Sequence, residues 1–184
     1  HGIAIDSTGN VYVTDSNNQR VQNFDSSGNY LTKWGTTGSG DGQFDQPVGV
    51  AVDSTGNVYV TDSNNQRVQK FDSSGNFLTK WGTFGGSDGQ FDSPHGIAID
   101  STGNVYVTDI YNQRVQKFDS SGNYLTKWGT NGTADSQFNS PFGIAIDSTG
   151  NVYVADFGND RIQKFDSTGN YLTKWGTNGT ADSQ

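Results

Sequence analysis

The sequence predicts an all-β chain, a β-propeller of four-stranded antiparallel blades, and three observations carry that expectation. The stretch GIAIDSTGNVYVTD at Gly2–Asp15 returns almost letter for letter at Gly49, Gly96 and Gly143, a fixed period of 47 residues. Periods of this size belong to solenoids, propellers and arrays. Within each period four short runs rich in Val, Ile, Tyr, Phe and Trp are separated by Asp, Ser, Asn and Gly, the alternation of strand and tight turn. The acidic residues are all Asp, with no Glu, and helical spacing is absent throughout.

In the first period, Gly2–Asp6 is small and β-branched, which suits a buried strand. Asp6–Asn10 supplies a turn, with a carboxylate for nearby backbone N–H groups and a Gly for positive φ. Asn10–Thr14 is a second strand, Asp15–Gln19 a polar loop and Arg20–Phe24 a third strand. Asp25–Asn29 repeats the turn, and Tyr30–Trp34 is the fourth strand. These connections are too short for parallel crossovers, so the four strands form an antiparallel meander. The longer Gly35–Pro47 segment has the reach to descend to the next sheet. Apolar residues on both faces require each sheet to be covered on both sides, which stacking around an axis achieves. The small first strand belongs at the axis. The fourth belongs at the rim, where Lys33, Lys80, Lys127 and Lys174 discourage edge pairing.

The blades are expected at residues 1–47, 48–94, 95–141 and 142–184. The chain opens just after a linker position and closes within one. The expectation is a segment of a larger propeller, or one that closes its ring by association with another copy.

A net charge of −8 argues against nucleic acid as a partner, because phosphate contacts call for a basic surface. No apolar run approaches a membrane span, so membrane insertion is not expected. With no Cys, disulfides and thiol chemistry are excluded. Abundant Ser, Thr, Asn and Gly, with glycosylation acceptor patterns at Asn131 and Asn178, suit an extracellular or cell-surface protein of a microbe.

The pattern GQF-x-x-P-x-GIAID-x-x-GNVYVTD-x-x-N-x-R-V-Q-K-F-D-x-x-G-x-x-L-x-x-W-G closely resembles the NHL repeat, across effectively the whole chain. That resemblance implies propeller blades, commonly six to a ring. It also implies a choice among protein-binding modules, RNA-binding modules, extracellular sensor domains of bacterial receptor kinases and a few lyases.

Function is sought where the repeats differ. The loops joining strands one to two and three to four share one end and are nearly identical. At the other end the strand two–three loops carry Ser16-Asn17, Ser63-Asn64, Ile110-Tyr111 and Phe157-Gly158, and the residue before each first-strand Gly is His1, Val48, His95 or Phe142. Ile110, Tyr111, Phe142, Phe157 and Phe84 are therefore the candidate anchors of a binding face for a protein or small ligand. His1 and His95 share one register at the channel mouth. Pro94-His95-Gly96 resembles the motif that supplies zinc ligands in propeller lyases of the peptide-amidating type, but Val48 and Phe142 stand where further histidines would be needed. No cofactor is assigned, with zinc or calcium as the metals to test. Asp15–Arg20 and its three repeats look like a structural ion pair, and Gly85–Gly89 spells G-x-S-x-G in a linker without the helix that motif requires. The leading expectation is a non-enzymatic module for binding or assembly. The alternatives are a metal-dependent propeller lyase and a purely structural or engineered repeat array.

Overall fold

The computed structural model describes residues 2–180, which form four antiparallel sheets of four strands, each in sequential order. Blade one comprises Ile3–Ile5, Val11–Asp15, Arg20–Phe24 and Tyr30–Trp34, and blade two Pro47–Val52, Val58–Asp62, Arg67–Phe71 and Phe77–Trp81. Blade three comprises Pro94–Ile99, Val105–Asp109, Arg114–Phe118 and Tyr124–Trp128, and blade four Pro141–Ile146, Val152–Asp156, Arg161–Phe165 and Tyr171–Trp175. The third and fourth strands fall where the sequence places them. The second begins one residue late, because Asn10 is tied into the turn: both its backbone N–H and its side-chain amide donate to the Asp6 carboxylate.

The first strand differs more. In blades two to four it starts at the Pro before the expected Gly, and a β-bulge sets Val48-Gly49, His95-Gly96 and Phe142-Gly143 each against one residue of the second strand. Glycine is required there by close approach. A Cβ on Gly49 would lie 2.3 Å from the His95 carbonyl oxygen, and one on Gly96 2.4 Å from that of Phe142. Thr61 bridges the bulge, its hydroxyl accepting from Gly49 N–H and donating to His95 O, both at 2.7 Å.

The core is a set of seams between blades. At the first, Tyr12, Val21 and Trp34 of blade one meet Val50, Val58, Val60 and Phe71 of blade two, with the linker residue Phe44 inserted among them. Phe91 and Phe138 repeat Phe44, and all three are fully buried. Each buried Arg then organises the linker that precedes it. Arg67 donates to Asp62 and to the carbonyls of Ser39, Gly40 and Gln43. The rim lysines also reach the linkers: Lys80, Lys127 and Lys174 pair with Asp41, Asp88 and Asp135 at 2.6 Å.

The blades make an open arc and not a closed ring. The blade-one positions equivalent to buried Val50 and half-buried Val52 are Ile3 and Ile5, 67% and 65% exposed, and at the other end Trp175 is 49% exposed. Among the described residues no helix is long and apolar enough to cross a membrane.

Candidate functional site

The variable end is built as the sequence implies, by strand two–three loops laid against linkers. Ser63 and Asn64 donate backbone N–H groups to Gln46 and Asp45. Ile110 and Tyr111 do the same to Ser93 and Asp92, and Phe157 and Gly158 to Ser140 and Asn139. At the opposite end every turn is closed on its own carboxylate. Asp53 Oδ1 accepts from Thr55 N–H, Thr55 Oγ1 and Asn57 N–H, and its Oδ2 from Asn57 Nδ2 and Tyr59 OH. Burial acts to raise the equivalent Asp6 carboxyl, but hydrogen bonds from Thr8 and Asn10 outweigh it and hold the pKa down to about 2. These carboxylates are thus engaged by donors of their own turns.

At the axis the bulges turn Val48, His95 and Phe142 toward a cavity of about 470 Å³, bounded also by Gln46 and Ser16. Bulges commonly re-aim side chains in this way. The His95 and Phe142 rings lie 3.9 Å apart, and Phe142 lies 6.0 Å from Phe157, so an aromatic strip runs outward from the mouth. Burial of the His95 imidazole lowers its pKa to about 4, so it is neutral at physiological pH. Its expected metal partner, His1, lies outside the described residues. Among those residues, no three His, Cys, Asp or Glu side chains converge on a metal position.

The candidate anchors divide. Phe84 and Tyr111 are each 69% exposed, on a linker and a loop that are joined by the hydrogen bond from Asn112 Nδ2 to the Gly85 carbonyl. Phe142 and Phe157 are exposed on the last blade. Ile110 must be withdrawn as a surface anchor, since it is only 8% exposed. It takes the register of Ser16 and Ser63, whose hydroxyls donate across the seam to Pro47 and Pro94 carbonyls, so this position faces between blades. The sequence reading missed the bulges and the threonines that satisfy them. The recurring Gly followed, 12 residues later, by Thr14, Thr61 and Thr108 was the available signal.

Four-stranded sheets stacked through apolar seams, with their smallest strands at a common axis, define the β-propeller class. Within it, the NHL repeat profile matches residues 1–24, 44–71, 91–118 and 138–165, and the chain belongs to the NHL-repeat family. Comparison with curated proteins gave no match. Among solved structures it is similar to streptogramin B lyase, at 18% identity and TM-score 0.73 over 100% of this chain and 56% of that one. A catalytically inactive virginiamycin B lyase from Staphylococcus aureus with quinupristin gives 16% and 0.74, over 100% and 57%. A protein of unknown function from Bacteroides thetaiotaomicron gives 22% and 0.72, over 89% and 46%. The chain thus spans about half the length of these proteins, and at such identities the likeness concerns the fold.

Proposed function

We propose that this chain is a non-enzymatic propeller module that binds a protein or peptide through the face bearing the strand two–three loops and linkers. The observation that carries this reading is the set of large aromatics exposed on that face: Phe84 and Tyr111, on a linker and a loop tied together by Asn112, and Phe142 and Phe157, with rings 6.0 Å apart. Aromatic anchors of this kind are the residues on which interface energy concentrates. The experiment is selection of a displayed random-peptide library on the immobilised protein. Selected peptides should lose on the order of 2 kcal/mol of affinity with Phe84→Ala or Tyr111→Ala. Equal retention by both variants would defeat the proposal.

A lyase remains a second reading, favoured by the His95 cavity at the channel mouth and by the lyases among structurally similar proteins. It requires that the chain, supplied with a divalent cation, consume quinupristin, and that His95→Ala abolish the activity.

The assembly function rests on the open faces. Blade one presents Ile3, Ile5, Val11, Val13, Phe24 and Tyr30, which stand in register with the residues that blade two buries against blade one. Blade four presents Ala145, Tyr153, Ile162 and Trp175, in register with those that blade one buries in return. The two faces are halves of a seam that the chain forms three times internally, and we infer that they pair in a second copy.

A further inference from the structure

The turn end contains a polar site that one repeat leaves unfilled. In blades two and three the third strand carries Lys70 and Lys117, which reach across their seams. Lys70 Nζ donates to the Ser120 carbonyl at 3.1 Å and lies 4.9 Å from the centre of the Tyr59 ring. Lys117 Nζ donates to the Ser167 carbonyl at 3.0 Å, lies 4.9 Å from the Tyr106 ring centre, and is 3.9 Å from Asp100 Oδ2. Each ammonium is thus held by a carbonyl of the next blade, an aromatic face and, for Lys117, a turn carboxylate. Cation–π attraction and the ion pair act together there.

Blade one has Asn23 in this register, as RVQNF in place of RVQKF. The corresponding seam contains a cavity of about 340 Å³ lined by Asp6, Tyr12, Asn23, Thr55 and Ser73, the last being the counterpart of Ser120 and Ser167. Asn23 is 4% exposed, and its Oδ1 is buried without a hydrogen-bond partner among the described residues. A buried acceptor left unpaired is destabilising, so a donor supplied from outside would be favoured. The lining includes three groups able to face a cation: the Asp6 carboxylate, the Tyr12 ring and the unpaired Asn23 Oδ1. The neighbouring seams show which chemical species this environment holds.

We propose that the blade one–two seam binds a primary alkylammonium, either a free small amine or a lysine side chain of a partner, in the position that a lysine ammonium of the chain itself occupies at the next two seams. Its N–H groups would donate to Asn23 Oδ1 and the Ser73 carbonyl, with its charge toward Asp6 and the Tyr12 ring.

The test is thermal unfolding of the full chain in methylammonium chloride, in Nα-acetyl-lysine methylamide, and in sodium or tetramethylammonium chloride at matched ionic strength. Methylammonium should raise Tm progressively beyond the sodium and tetramethylammonium controls. A matching rise with the lysine derivative would identify a partner's lysine as an acceptable source, and a rise with methylammonium alone would restrict the site to free amines. Asn23→Lys should raise Tm without any amine and remove the amine response. Lys70→Asn should create a second responsive site and enlarge the response. The proposal is overturned if methylammonium and sodium act alike on the wild type. It is equally overturned if Asn23→Lys, folded by circular dichroism, keeps the full amine response.

Discussion

At the scale of single residues, the same Asp–Arg pair has different consequences in different blades. Arg67 and Asp62 meet at 2.8 Å with side chains 6% and 0% exposed, and the rest of the guanidinium holds three linker carbonyls. Arg20 and Asp15 meet at 2.7 Å but stay 27% and 22% exposed, because no described linker covers them. The carboxyl groups register the difference. Burial pushes Asp62 up despite its donors, whereas hydrogen bonds from Asn18 and Arg20 bring Asp15 down. Arg67→Met leaves the buried Asp62 carboxylate without its cation and takes a donor from three linker carbonyls, and should cost about 3–5 kcal/mol. Arg20→Met should cost about 1 kcal/mol or less. Urea unfolding of the two variants checks the ordering. His95 gives a pH-dependent counterpart. Its folded pKa is depressed to about 4, below the ordinary 6.5, so the unfolded chain binds the extra proton first. Its contribution is therefore complete above about pH 6.5 and is lost as pH falls toward about 4. Between pH 7 and 4.5 the wild type should lose more Tm than His95→Gln, and parallel pH profiles would contradict the burial argument.

At the scale of elements, the tight turns between third and fourth strands are built for a tryptophan from the preceding blade. Gly75 has φ +87°, and a Cβ there would lie 2.7 Å from the Trp34 ring; Gly122 and Gly169 stand in the same way to Trp81 and Trp128. Gly28 has nearly the same φ, +84°, but nothing within 4 Å. Alanine at either site pays the left-handed strain of about 1–2 kcal/mol. Only Gly75→Ala should add a clash, of about 1–3 kcal/mol. The difference between the two variants in urea isolates the tryptophan contact from the backbone effect. Phe91→Ala, emptying a plug that is fully buried, should cost about 3–5 kcal/mol. Much of this scale was legible in the sequence, since strand length, turn chemistry and meander order are local properties that each repeat states four times. The bulge at His95-Gly96 was not legible, because it depends on how closely a neighbouring inner strand passes. Nor was the burial of Ile110, which depends on the blade that follows it. Asn112 ties the Tyr111 loop to the Gly85 carbonyl of a linker 27 residues earlier, a contact no local pattern states.

At the scale of the whole molecule, the three internal seams serve as controls for what the open faces can bind. Each seam buries a linker Phe and aliphatic residues from two blades beneath a half-buried Trp, and each places the Trp against a turn Gly. Trp175 and Gly28 are the unmatched members of that relation, one at each end of the arc. Arg20 has a further use for the same neighbour: Arg161 Nη1 takes the Thr133 carbonyl at 2.7 Å, and Thr180 holds the position equivalent to Thr133. One contact is lost, because Ala155 replaces the threonine that elsewhere donates to the next inner strand. A contact between unlike faces closes into a ring only if its rotation sums to a full turn, and otherwise grows into a filament. Two copies would give eight blades, at the upper end of the roughly four to eight usual for propellers. Light scattering on the purified chain should therefore report twice the mass of one chain. Gly28→Asn separates this association from folding. Asparagine tolerates positive φ and meets open space in a single chain, yet it would collide with Trp175 of a second copy. The variant should retain its β-sheet circular dichroism and fall to the mass of one chain, as should Trp175→Ala. Wild type at one-chain mass, filaments, or a Gly28→Asn variant that stays at two-chain mass would each rule out closure of the ring through these faces.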